Sequence, residues 1–242
     1  MEGLKNPLYK KRVVFDGDSL TAGFPLKGIF SWAKIIGERN EMEWKNFGVG
    51  GGTFTAGLYF PAVGGSRHWL SRSIDTTKER APELDYLIFD GGVNDADNLR
   101  YLPEKFGDYT PADFSGNYDD TTYTGAIETT FYKAIKHYPK AKIGYIALHK
   151  MGYMAGGFPD DRYDNYRKFL LRAIELCKKW GIPYIDLWES STLNPTLPCY
   201  FDPSLGRDGN ERSGKAYLDG QHLTTSGYHL VADKIEAWMR SL

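Results

Sequence analysis

The sequence predicts an α/β fold in which helices cover both faces of a five-stranded parallel sheet. Five short runs rich in β-branched and aromatic residues are spaced along its 242 residues, as buried strands require. Longer stretches with apolar residues at helical spacing separate them. Such alternation builds βαβ units, whose parallel strands are covered by their own crossover helices. No internal repeat, low-complexity tract or Pro/Ser-rich linker divides the chain, so one domain over residues 1–242 is expected.

Arg12–Asp16 (RVVFD) is the first expected strand. Glu43–Phe47 is the second, with the weakest pattern. Asp85–Phe89 (DYLIF), Lys142–Leu148 (KIGYIAL) and Pro183–Leu187 (PYIDL) follow. Helical periodicity covers Ile29–Arg39, Ser66–Arg80, Thr121–Tyr138 and Tyr163–Trp180. A last helix is expected over Ser226–Met239, capped by Ser226, with Tyr228, Leu230, Val231, Ile235 and Trp238 on one face. Three stretches are too long and polar for simple connections: 98–120, 151–161 and 190–218. All three follow expected strands or their turns, which places them over the rim where parallel sheets bind ligands.

Thirty basic and thirty-one acidic residues leave a formal charge of -1. That balance offers no electrostatic reason for nucleic acid or an anionic membrane as partner. No apolar run reaches the roughly 18 to 20 residues of a membrane span. Residues 1–12 are charged and lack an apolar segment, so no signal peptide is visible. A cytoplasmic location is the default expectation, or a secreted one if a leader has been removed. Cys177 and Cys199 lack CxxC spacing and are too few for a disulfide framework; two free thiols are expected. Aromatic residues reach 15%, mostly for core packing, with a surplus able to line a sugar- or acyl-binding cleft.

Four motifs carry chemistry. The first strand runs into Gly17-Asp18-Ser19-Leu20, where a tight turn exposes a serine hydroxyl and leaves backbone N–H groups unpaired. The second ends in Asn46-Phe47-Gly48-Val49-Gly50-Gly51-Gly52-Thr53, whose glycines let the backbone approach a ligand closely. The third ends in Asp90-Gly91-Gly92-Val93-Asn94-Asp95, where the Asn94 amide can donate to an oxyanion and Asp95 can brace the loop. Near the C-terminus, Asp219-Gly220-Gln221-His222 can set a carboxylate beside Nδ1 of an imidazole, leaving Nε2 free to take a proton from a serine.

With all four blocks in this order, the sequence resembles the SGNH (GDSL-type) hydrolase superfamily over almost its whole length. The resemblance implies a flavodoxin-like three-layer α/β/α sandwich and a serine esterase needing no metal or other cofactor. It implies Ser19 as nucleophile, His222 as general base and Asp219 as its orienting carboxylate. The oxyanion hole would be the Ser19 N–H, the Gly51 N–H and the Asn94 side-chain amide. Gly51 is matched by aligning Asn46-x-Gly48-x-x-Gly51-x-Thr53 with the family's N-x-G-x-x-G-x-T block. A short-chain lipid ester or a thioester stays open as substrate of the same site, and acyltransferases also occur among such proteins.

Other readings start from the same residues. Asp16-Gly17-Asp18 after a strand resembles a haloacid-dehalogenase-type phosphatase, with Asp16 as nucleophile, Asp18 as acid/base, Mg²⁺ as cofactor, and Asp119-Asp120 or Asp160-Asp161 as later ligands. Ser19-Leu20 stands where that family has Gly-Thr, and the Asn94 and His222 blocks are left unexplained. A dinucleotide loop fails because Thr53 occupies the third glycine of GxGxxG. An ordinary α/β-hydrolase fails for want of GxSxG. A non-catalytic carbohydrate-binding module on the same fold has no need of both a base and oxyanion donors.

His149 lies just past the fourth strand, and two roles are open to it: substrate contact or a solvated loop. His68, His137 and His229 read as structural or surface residues. Asp202, Asp208 and Asn210 lack EF-hand spacing and read as a polar loop. The expected substrate is a small-molecule or carbohydrate ester, with carbohydrate deacetylation first, because Tyr101, Phe106, Tyr109, Phe114, Tyr118, Tyr153 and Phe158 suggest a polar-aromatic rim suited to sugars.

Overall fold

A computed structural model describes residues 6–58, 68–151 and 161–242 of the chain. Strands β1 (Arg12–Asp16), β2 (Glu43–Asn46), β3 (Tyr86–Asp90), β4 (Lys142–Ala147) and β5 (Tyr184–Asp186) form one parallel sheet. Their order is β2-β1-β3-β4-β5, the flavodoxin-like arrangement. In register, Phe15 of β1 lies between Asn46 of β2 and Ile88 of β3. β3 is buried along its whole length, whereas edge strand β2 exposes Glu43 and Lys45. That outward polar pair is why β2 reads faintly in sequence.

Nine helices are present among the described residues: α1 (Ser19–Ala22), α2 (Trp32–Arg39), α3 (Leu70–Arg80), α4 (Val93–Leu99), α5 (Tyr123–His137), α6 (Asp161–Trp180), α7 (Leu187–Ser190), α8 (Gly206–Arg212) and α9 (Thr225–Ser241). α2 packs against α9, while α3, α5 and α6 pack in sequence, giving a helical layer on each face of the sheet. The result is the expected α/β/α sandwich. Among the described residues no helix is long and apolar enough to cross a membrane.

Several local expectations are corrected. The cap of α9 is Thr224, whose hydroxyl accepts the Gly227 N–H at 3.0 Å, and Ser226 lies inside the helix. Leu230 is 47% exposed; two residues from Tyr228, it is turned about 200° round the helix. His68 precedes α3 rather than lying in it. The 190–218 stretch holds the short turn Pro203–Leu205 and α8. Most of 151–161 lies outside the described residues.

The aromatic insert 98–120 does not rim the Ser19 site; Phe106, Tyr109 and Tyr118 line a separate pocket of about 550 Å³ with Thr124, Glu128 and Arg172. Phe106 stacks on Tyr123 and meets Phe169 edge-on. Tyr109, Phe114, Tyr118 and Trp180 instead surround the Lys179 ammonium, 5.1 to 5.8 Å from its nitrogen. Lys179 Nζ also donates to Glu128 Oε1 at 2.5 Å and to the Thr110 carbonyl at 2.9 Å. Both side chains of that ion pair are at least 95% buried. Since α6 runs down to the start of β5, this cage sits at the sheet edge opposite the strand C-termini. Tyr101 is exposed, and Tyr153 and Phe158 lie outside the described residues. The aromatic surplus therefore clamps a loop onto α5 and α6, with cation–π attraction strengthened by burial.

Lys179→Ala removes the cation and leaves a buried carboxylate without its partner. Urea unfolding should show a loss of about 3–5 kcal/mol, and limited proteolysis should cut first within 107–118. A loss under about 1 kcal/mol would mean that the cage holds little.

Candidate active site

Ser19 is delivered by the central strand. β1 ends at Asp16, Gly17 turns the chain, and Asp18 caps α1 by accepting the Leu20 N–H at 2.8 Å. Gly17 is required here, because a Cβ would stand 1.4 Å from Asp90 Oδ1. Asp90, the last residue of β3, uses that oxygen to accept the Asp18 N–H at 3.2 Å. The neighbouring strand thus ties down the turn that carries Ser19. No acceptor meets the Ser19 N–H among the described residues.

The loop after β2 is braced from several sides. Asn46 donates to the Thr21 carbonyl at 2.7 Å and accepts the Gly48 N–H at 3.0 Å. The Val49 N–H donates to the Gly17 carbonyl at 3.1 Å, joining this loop to the serine turn. Gly52 donates to the Val49 carbonyl at 2.9 Å, closing a turn with Gly51 at φ 77°. That engages the Gly52 N–H, while the Gly51 N–H meets no acceptor among the described residues. Buried Asp95 accepts from the N–H groups of Phe54 and Thr55, at 3.0 and 2.8 Å, and from the Thr55 hydroxyl. Asn94, in the first turn of α4, donates one amide hydrogen to the Gly52 carbonyl at 2.9 Å. Its second amide hydrogen meets no acceptor among the described residues.

The histidine comes from the far end of the chain. A bridge between Tyr217 and Leu223 closes the 219–222 turn. Asp219 Oδ1 accepts the N–H groups of Gln221 and His222 at 3.1 and 2.8 Å. Asp219 Oδ2 lies 2.9 Å from His222 Nδ1, and His222 Nε2 lies 2.9 Å from Ser19 Oγ. Burial pushes the Asp219 carboxyl up, but the His222 contact and the nearby Arg207 charge bring it below the usual carboxylate range. It stays ionised in neutral solution.

Sequence reasoning misses several neighbours. Phe24 meets the His222 ring edge-on, with centroids 5.2 Å apart. Arg207 of α8 donates to Asp219 through Nε at 2.8 Å and through Nη2. Nothing in an arginine twelve residues before an aspartate marks it in sequence. His149 is neither solvated nor open to a ligand: it is fully buried beneath the turn. Its Nε2–H donates to the Gln221 carbonyl at 2.9 Å, and burial pushes its pKa down to about 4, so it stays neutral. It supports the turn between Asp219 and His222.

Asp16 does not suit a phosphatase nucleophile. It is fully buried; Oδ1 accepts the Gly17 N–H at 2.9 Å and faces His68 Nε2 at 2.7 Å, while Oδ2 meets the Thr77 hydroxyl at 3.3 Å. Asp119 closes its own local turn and Asp120 pairs with Arg72. Asp160-Asp161 lies outside the residues whose side chains are described. Asn210 is tied to the Asp202 backbone, and Asp202 caps Pro203–Leu205. Among the described residues no group of three His, Cys, Asp or Glu side chains is arranged to hold a metal ion.

With this geometry in hand, residues 15–230 match the GDSL-like lipase/acylhydrolase family. The chain belongs to that family. It is a carboxylic ester hydrolase. Family membership covers both the serine turn and the 219–222 turn. No curated protein matches the chain. Among solved structures it is similar to a Lactobacillus plantarum protein, at 19% identity and a TM-score of 0.69, covering 96% of this chain and 98% of that one. It is also similar to the M. smegmatis aryl esterase (17%, TM-score 0.63, covering 96% and 99%). A carbohydrate acetylesterase family member from Sinorhizobium meliloti is a third (15%, TM-score 0.63, covering 96% and 98%). These likenesses establish a shared SGNH hydrolase fold.

Beneath Ser19 lie two further buried acids. Burial pushes Asp18 up to about 6 and Asp90 well above the usual carboxylate range, with Asp95 raising Asp18 further and Asp18 and Asp16 raising Asp90. Asp18 Oδ2 and Asp90 Oδ2 are both buried without a hydrogen-bond partner among the described residues. A carboxyl whose pKa is raised on folding favours the native state while protonated, and that advantage is lost as pH rises from the unfolded value through the folded one. Asp90→Asn keeps the Oδ1 acceptor and removes one such group. Its unfolding free energy should therefore rise relative to wild type as pH increases from about 4 upward. A difference independent of pH in urea titrations would show that Asp90 does not gain a proton on folding.

Proposed function

We propose that Ser19 attacks the carbonyl carbon of a carboxylic ester, with His222 as general base and Asp219 as the carboxylate that orients it. The reading rests on the unbroken contact line from Ser19 Oγ through His222 to Asp219, 2.9 Å at each step. A serine hydroxyl is a weak nucleophile near neutral pH, so its proton passes to Nε2 as the Oγ–C bond forms. Asp219 holds the imidazolium through Nδ1–H. The Ser19 N–H, the Gly51 N–H and the free amide hydrogen of Asn94 receive the charge that develops on the carbonyl oxygen. A donor of this kind lowers the barrier by about 2.7–4 kcal/mol. Nε2–H then protonates the leaving alcohol as the C–O bond breaks. Water repeats the sequence on the acyl-serine, giving its proton to His222 and releasing the acid.

Ser19 keeps only 8% of its surface exposed and Asn94 5%. Such low exposure of both residues favours a small acyl group, and acetyl is the acyl group we propose. The Sinorhizobium meliloti neighbours are named as carbohydrate acetylesterases, which supports an acetylated carbohydrate as the alcohol part. The M. smegmatis neighbour, named as an aryl esterase, supports small aryl acetates as usable probes.

Ser19→Ala should lower kcat on 4-nitrophenyl acetate by roughly 10⁴-fold or more with unchanged circular dichroism; near-normal turnover would remove Ser19 from the reaction. Asn94→Ala should lower kcat by about 10²–10³-fold with little change in KM, because the donor acts on the transition state. A change in KM alone would make Asn94 a ground-state contact. Across a panel of acetylated sugars, aryl acetates and longer acyl esters, acetylated sugars should give the highest kcat/KM. Preference for long acyl chains would overturn the substrate assignment but not the serine mechanism.

A further inference from the structure

We propose that Arg207 is a positioning residue that competes with His222 for Asp219 and so sets the lower pH limit of ester hydrolysis. The inference rests on the reading of His222 as general base. One carboxylate oxygen, Asp219 Oδ2, receives Arg207 Nε at 2.8 Å, Arg207 Nη2, and His222 Nδ1 at 2.9 Å. Arg207 Nη2 also stands 3.0 Å from His222 Nδ1. Arginine stays charged throughout the working pH range, so Nη2 is always a donor. An imidazolium therefore sets two like-charged donors side by side and shares its counter-ion with one of them. A neutral imidazole, which keeps its hydrogen on Nδ1 so that Nε2 can act as the base, removes the charge repulsion and leaves only the donor–donor contact.

The guanidinium is also held in place. Its centre lies 5.5 Å from the Phe24 ring, whose edge packs on His222. Other titratable groups around His222 come from every neighbouring element. Asp18 is buried below in the serine turn, His149 is buried neutral beyond β4, and the buried Tyr228 phenol of α9 lies within reach of the charges of Asp90, Asp18 and Asp219. Lys27 and Asp208 form a 3.5 Å ion pair near Arg207, beside Glu211 and Arg212. Among the described residues only Arg207 touches both Asp219 and Nδ1 of His222. It is carried by the 190–218 insert, so a segment that adds no reacting atom adjusts the base.

The test follows kcat/KM for 4-nitrophenyl acetate against pH in wild type, Arg207→Gln and Arg207→Lys, with the His222 imidazole titration read directly by NMR. In Arg207→Gln, the acid limb and the His222 titration should both move to higher pH, with a several-fold rate loss at the foot of the limb. Arg207→Lys keeps the charge without the fork, and its limb should lie closer to wild type. Should Arg207→Gln not fold, Arg207→Met keeps the stem over Phe24 and serves the same comparison. A limb that stays in place, or moves to lower pH, in a folded variant would overturn the proposal. If Ser19→Ala is inactive while the limb is unmoved, only the role of Arg207 fails; an active Ser19→Ala enzyme removes the mechanism beneath it.

Discussion

Ser19 and His222 stand 203 positions apart in the chain and 2.9 Å apart in space, and the rest of the site is arranged around that contact. The parallel sheet makes it possible. Every strand ends on the same rim, so the turn after β1, the loops after β2 and β3 and the turn before α9 converge there. The anchor lies one layer deeper, where Asp90 of β3 fills the space beside Gly17 and accepts the Asp18 N–H. Strand pairing thereby fixes the serine before any loop does.

The same anchor places carboxyl groups where water cannot reach. Asp16, Asp18, Asp90 and Asp95 are all fully buried. Asp16 and Asp95 are surrounded by donors and hold loops in place. Asp18 and Asp90 each keep one oxygen without a donor among the described residues, and both hold their protons more tightly than usual. Local stability is given up directly beneath Ser19 in return for a rigid turn, as functional sites commonly do.

The two described inserts do different work. The 98–120 segment is clamped at the far edge of the sheet, its rings closed round the Lys179 ammonium and the buried Glu128. The 190–218 segment turns back to the rim and lays Arg207 against Asp219. Both stretches are long and polar, and both contain aromatic residues. What separates them is the charge pairing each makes: one closes round the Lys179 cation, while the other carries a cation, Arg207, to the Asp219 carboxylate.

Strand periodicity, glycine placement and the order of four short motifs determine the sheet and its direction and single out Ser19, Asn94, Asp219 and His222 as candidates. These are legible because each is a local pattern: a buried strand followed at once by the residue it presents. β2 reads weakly because an edge strand alternates toward solvent, and Thr224 rather than Ser226 caps α9 because the cap depends on one hydroxyl meeting one N–H. Only the tertiary structure decides that His149 is buried under the 219–222 turn, that the aromatic insert lies away from the site, and that Arg207 shares the carboxylate. Burial, charge pairing and proton affinity belong to contacts between distant segments, and no local pattern of residue types records them.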